Sequence, residues 1–125
     1  MIKIMSFGFK YGVSTESDLV FDVRCLPNPY YVEELKNHTG IERCVQDYVM
    51  GFEQSQTLFD KLKDLIDYLI PMYVQEGKSQ LVIAFGCTGG KHRSITFAEY
   101  MAKHLTGKGY KVQKYHRDIT KDRKF

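Results

Sequence analysis

Cys87, Lys91, His92 and Arg93 fall within one short string, Phe85-Gly86-Cys87-Thr88-Gly89-Gly90-Lys91-His92-Arg93-Ser94. A thiol, an imidazole and two fixed cations share that string with three glycines. The apolar run Leu81-Val82-Ile83-Ala84 precedes it and a helical pattern follows it. A buried strand therefore feeds a glycine-rich loop, and the loop feeds a helix start. Such a turn concentrates backbone N–H groups that lack intrahelical acceptors. With cationic side chains beside them, these groups make an anion site, phosphate foremost.

Spacing narrows the chemistry. A Walker A loop needs four residues between its first glycine and the Gly-Lys pair, then Ser or Thr. Gly86 and Gly90 enclose three residues, and His92 follows Lys91, so the pattern is not a Walker A. Cys87, Gly90, Arg93 and Ser94 do satisfy C-x-x-G-x-x-R followed by Ser or Thr, the cysteine-phosphatase pattern. There the N–H groups hold phosphate, arginine grips two oxygens and the thiol is activated. Gly86 stands where such loops carry a histidine, and the general acid would be Asp22 or Asp118. The other reading is binding without turnover, with Cys87, Thr88, Gly89, Gly90, Lys91, His92, Arg93 and Ser94 as a phosphate cradle.

The elements that must position this loop follow from periodicity. Ile2 to Phe9 reads as a strand, turned by Lys10-Tyr11-Gly12. Leu19 to Val23 reads as a second strand with Asp22 inside it, and a carboxylate there needs a partner. Arg24 to Tyr31 contains two prolines and leaves that strand as a rigid extended loop. A turn at Glu33–Asn37 and a break at Asn37–Gly40 come next. A short amphipathic helix over Ile41–Phe52 follows. From Ser55, Leu58, Phe59, Leu62, Leu65, Ile66, Leu69, Met72 and Tyr73 recur at helical spacing, up to Pro71 and Gly77. Gln80–Phe85 is the third strand, Ile95–Leu105 a helix, and Tyr110–Tyr115 the fourth strand. Residues 80–115 have the length of a βαβ crossover. His116–Phe125 reads as a polar exposed end. The expected fold is α/β, a single-domain sandwich over residues 1–125 with a mostly parallel sheet of about four strands flanked by helices.

Composition sets bounds. The chain has 125 residues, 43% hydrophobic and 26% charged, with net charge +3. That fits one soluble domain with a sizeable core. No apolar run approaches the roughly 20 residues that span a bilayer, and no signal peptide is evident, so a cytoplasmic location without membrane contact is expected. Cys25, Cys44 and Cys87 form no C-x-x-C pair. Zinc and disulfide frameworks are not expected, nor is any metal or cofactor. Cys25 and Cys44 are read as small buried hydrophobes.

Three stretches in one order carry a family resemblance. They are Ser6-Phe7-Gly8-Phe9-Lys10-Tyr11-Gly12, Phe21-Asp22-Val23-Arg24 through Pro27-Asn28-Pro29, and Gly86 to Ser94. Together they resemble the C-terminal domain of the RapZ family of nucleotide-binding proteins, also called YvcJ. Full-length members carry an N-terminal P-loop domain, so the resemblance implies a stand-alone form without nucleotide hydrolysis. It also implies a regulatory module that binds a phosphorylated small molecule, a sugar phosphate or nucleotide, and RNA, as a homodimer. By position, Asp22, Arg24 and Asn28 would join the Cys87–Ser94 loop in the pocket. Tyr30 stands where the family often has histidine, a change of hydrogen-bonding chemistry at the sugar. Lys114, His116, Arg117, Lys121, Arg123 and Lys124 occupy places comparable to the family's RNA-contacting residues.

Overall fold

Alternation along the first strand decides the layering. Ile2 and Ile4 bury toward one face, and Met5 and Phe7 toward the other. The computed structural model describes residues 1–121. Its sheet is formed by β1 (Ile2–Gly8), β2 (Leu19–Asp22), β3 (Leu81–Cys87) and β4 (Val112–His116). Among the described residues, these four strands are all parallel, in spatial order β2-β3-β1-β4. The helices are α1 (Arg43–Met50), α2 (Glu53–Gln75) and α3 (Arg93–Gly107). The α/β class and the parallel sheet agree with the sequence reading.

β3 is buried along its whole length, as a continuous apolar run in the middle of a parallel sheet should be. Leu81, Ile83 and Phe85 face the main core with Val45, Val49, Ile66, Ile70, Phe97, Met101 and Leu105 from the helices. Met5, Phe7, Val82 and Ala84 make a smaller cluster on the opposite face. The β1–β2 connection crosses that cluster, where Ser14 and Ser17 hydroxyls donate to the Met5 sulfur.

β1 and β3 are neighbours, with Gly8 level with Cys87. The chain leaving β1 travels to β2 on one side. The chain leaving β3 travels to β4 on the other side. The carboxyl ends of these two strands therefore flank a topological switch point, where open α/β sheets form a crevice. The 80–115 crossover joins strands that are not adjacent, because β1 lies between them.

Several details depart from expectation. β3 runs on through Gly86 and Cys87, and α3 begins at Arg93 rather than Ile95. The turn between them is thus only Thr88–His92. Asn28 caps a 3₁₀ turn at Pro29–Tyr31, its side-chain oxygen accepting from Tyr30 N–H. α2 starts at Glu53 and continues through Pro71. β2 is an edge strand, and Val20 is exposed. Cys25 and Cys44 are exposed, because Cys25 sits in a surface turn and Cys44 in α1 away from its buried residues Val45 and Val49. Past β4 the chain is not simply exposed: Asp118 is fully buried. No described helix is long and apolar enough to cross a membrane.

Candidate functional site

A cavity of about 960 Å³ opens at the carboxyl ends of the strands. Lys10 follows β1, Asn28, Tyr30 and Tyr31 follow β2, and Ile119 follows β4. Thr88, Gly89, Lys91, His92 and Arg93 follow β3. In a parallel sheet all strands end on the same edge, so residues distant in sequence meet there. The remaining wall is Lys36–Thr39. It is tied to the turn by Gly40, whose N–H donates to Lys91 O at 2.8 Å. A Cβ on Gly40 would lie 2.5 Å from His92 O, so only glycine lets this wall close on α3.

The turn packs on β1 through glycines. A Cβ on Gly8 would lie 2.5 Å from the Gly89 carbonyl carbon. Gly90 has φ +75° and sits against Gly8 N, where a Cβ would come to 2.6 Å. Gly89 faces open space. Thr96 N–H makes the first helical bond, to His92 O. The amides of Arg93, Ser94 and Ile95 thus precede the helical ladder.

His92 is buried at 6% exposure, and its Nε2 has no hydrogen-bond partner. Burial pushes this imidazole below its ordinary pKa, and the charges of Arg93 and Lys91 add to the effect. Nearby backbone of His38 and Lys36 opposes it. Arg93 is also buried. Its Nη1 donates to the Arg24 and Leu26 carbonyls at 2.7 and 3.0 Å, and its Nη2 to Thr88 Oγ1 at 3.4 Å. Arg93 therefore joins the β2 exit loop to the turn. The Cys87 thiol donates to Ser94 Oγ at 3.1 Å.

Of the residues expected to bind phosphate, Asn28, Cys87, Thr88, Gly89, Lys91, His92 and Arg93 line the cavity. Gly90 and Ser94 support the turn from behind. Asp22 and Arg24 pair with each other at 2.7 Å beside the cavity, and Arg24 stacks 3.9 Å from the Phe9 ring centroid. Arg24 holds the Asp22 carboxyl below the usual range. Burial would raise the Asp118 carboxyl, but hydrogen bonds from Arg117, Gly8 N–H and Lys121 outweigh it and hold it low. Both carboxyls available as general acids are thus kept ionised.

Lys10, Tyr31, Lys36–Thr39 and Ile119 were not singled out as pocket residues from sequence. The ends of β1 and β4 place Lys10 and Ile119 there once the strand order is known. They do not place Lys36–Thr39, since Gly40 packing carries no sequence signature. Of the residues compared with an RNA-contacting patch, Lys114 and His116 pair with Glu99, and Arg117 and Lys121 with Asp118. Arg123 and Lys124 lie outside the described residues. A second groove of about 430 Å³ is lined by one face of α2, Glu53 to Lys61, with no opposing polar wall.

A parallel α/β sheet with a polar cavity at a topological switch point belongs to the ligand-binding class of α/β architectures. Residues 1–120 match the model of the RapZ C-terminal domain, and the chain belongs to that family. It is 57% identical to nucleotide-binding proteins of Caldicellulosiruptor saccharolyticus and Caldicellulosiruptor bescii. It is 54% identical to one of Clostridium novyi. Each alignment covers 98% of this chain and 42% of the relative, so the chain spans about two-fifths of the length of these relatives.

Proposed function

We propose that the chain is a binding module for a phosphorylated small molecule, a sugar phosphate or a nucleotide, in a regulatory role. The phosphate end would sit on the Thr88–Arg93 turn. One observation carries this reading: Lys10, Lys36, Lys91, Arg93, His38 and His92 line the cavity, and no described carboxylate does. A low-dielectric cleft lined by one sign of charge focuses its field on an oppositely charged ligand. His92 Nε2 is enclosed and unpaired there, so a ligand oxygen would satisfy it.

The test is thermal denaturation with inorganic phosphate, hexosamine phosphates, ribose 5-phosphate and nucleoside monophosphates. A ligand at a hundred times its Kd adds about 2.7 kcal/mol of stability. If no phosphorylated compound stabilises the protein and no amide of residues 88–93 shifts, the reading is wrong.

A cysteine-dependent hydrolase remains the second reading, because Cys87 lines the cavity with Ser94 beside it. The Arg93 bonds to backbone carbonyls and the two ionised carboxyls favour binding over turnover. Turnover of an aryl phosphate that disappears in Cys87→Ser would reverse this preference.

A further inference from the structure

Outside the phosphate-binding turn, His38, Glu42 and Cys44 bring an imidazole nitrogen, a carboxylate oxygen and a thiol sulfur within 4.8 Å of one another. His38 Nδ1 lies 2.7 Å from Glu42 Oε1. Thr39 N–H donates to Glu42 Oε2 at 2.8 Å, which fixes the carboxylate and leaves Oε1 directed at the histidine. The frame is firm. Gly40 is bonded to Lys91 O, and the Gln46 side chain donates to Gly40 O at 2.7 Å. Cys44 lies in the first turn of α1 with a free, exposed thiol. Glu42 is the N-cap residue of α1 but its side chain makes no cap hydrogen bond, so its contacts belong to the His38–Thr39 turn, which gives no role to a thiol at that place.

We propose that His38, Glu42 and Cys44 bind a borderline-soft divalent cation, Zn²⁺ being the best match, at the rim of the cavity. Nitrogen, oxygen and sulfur donors together suit Zn²⁺ and do not suit Mg²⁺ or Ca²⁺, which take oxygen ligands. Around tetrahedral zinc such donors stand about 3.3 to 3.6 Å apart, from bond lengths of about 2.0 to 2.3 Å. The exposed side chains reach that spacing by small rotations. Three protein donors leave a fourth position to water or to an anion. The thiol gives up its proton to solvent on binding. The set contains no C-x-x-C pair; its spacing is i, i+4, i+6.

The test is titration of the reduced protein with Co²⁺, then displacement by Zn²⁺ with a chromophoric chelator as competitor. The expected result is one equivalent of metal and a near-ultraviolet thiolate-to-cobalt band. Cys44→Ser should remove the band and weaken zinc by about tenfold or more, the scale of a lost metal-site support. His38→Ala should weaken zinc likewise. Cys25→Ser, which alters the other exposed cysteine, should change neither. Absence of the band in the wild type, or its survival in Cys44→Ser, overturns the proposal. The readout contains no phosphate and stands apart from the ligand reading.

Discussion

His92 holds a nitrogen that is enclosed and unpaired, and this makes it a proton-linked probe of the cavity. Burial keeps the free imidazole neutral by lowering its pKa. An anion against Nε2 favours the charged ring, so binding takes up a proton. Affinity for sulfate, which does not titrate here, should rise as pH falls below about 6.5, the ordinary histidine value. It should level off below the lowered pKa. Without ligand the sign for stability is opposite. Between the two pKa values the unfolded chain binds more protons, so stability rises with pH through that window, is full above about 6.5 and is lost as pH falls through the lowered value. Calorimetric titration of wild type and His92→Gln checks both slopes, and each should vanish in the variant. Asp118 behaves as a depressed carboxylate. Its contribution is present above about 3.9 and is lost as pH falls through its lower folded value. Asp118→Asn leaves Arg117, Lys121 and the Gly8 amide short of an acceptor. Breaking such a buried set costs about 3 kcal/mol, readable by urea denaturation. An unchanged midpoint would mean that the cluster does not hold β4 to β1.

At the scale of elements, the β1 end and the β3 turn approach so closely that only glycines fit. Gly8→Ala brings a Cβ to 2.5 Å from backbone, so the strand and the turn must part. The expected cost is about 2 kcal/mol, with weaker phosphate binding. Gly89→Ala meets nothing within 4 Å and should keep stability within about 0.5 kcal/mol of wild type. Any effect of Gly89→Ala on ligand then reports on the cavity alone. Paired thermal-shift and binding measurements separate the two. This contrast also marks what could be read in advance. The strand–turn–helix around Cys87 was legible because an apolar run, a glycine cluster and helical spacing adjoin in sequence. The four strands were legible for the same reason. Strand order was not, since pairing β1 between β3 and β4 depends on contacts across the chain. Of Asp22, Arg24 and Asn28, the expected second wall, Asn28 lines the cavity with Tyr30, Tyr31 and Lys36–Thr39, while Asp22 and Arg24 pair with each other beside it. The burial of Asp118 departs from the polar exposed end expected after β4, because a polar residue carries no hydropathy signal of burial. Its burial follows from partners on β1 and on its own turn, which local hydropathy does not register.

Over the whole molecule, a net charge of +3 hides two different arrangements of cations. In the cavity, cationic side chains gather with no described carboxylate. Along the β4 edge, Lys114 and His116 share Glu99 at 2.9 and 2.8 Å, and the patch is locally balanced. A small anion and a polyanion should therefore respond differently to one substitution. Glu99→Gln releases Lys114 and His116 from their acid without touching the cavity lining. If the β4 edge contacts RNA, affinity for a single-stranded oligonucleotide should rise in this variant. The log–log salt slope should steepen by about 0.7 for each phosphate gained. Fluorescence anisotropy over a salt series measures both. Affinity for a sugar phosphate or nucleotide should stay at the wild-type value, because the site proposed for it is at the carboxyl ends of the strands. RNA binding with an unchanged slope would place the polyanion elsewhere, and a parallel loss of small-ligand affinity would show that the two surfaces are one.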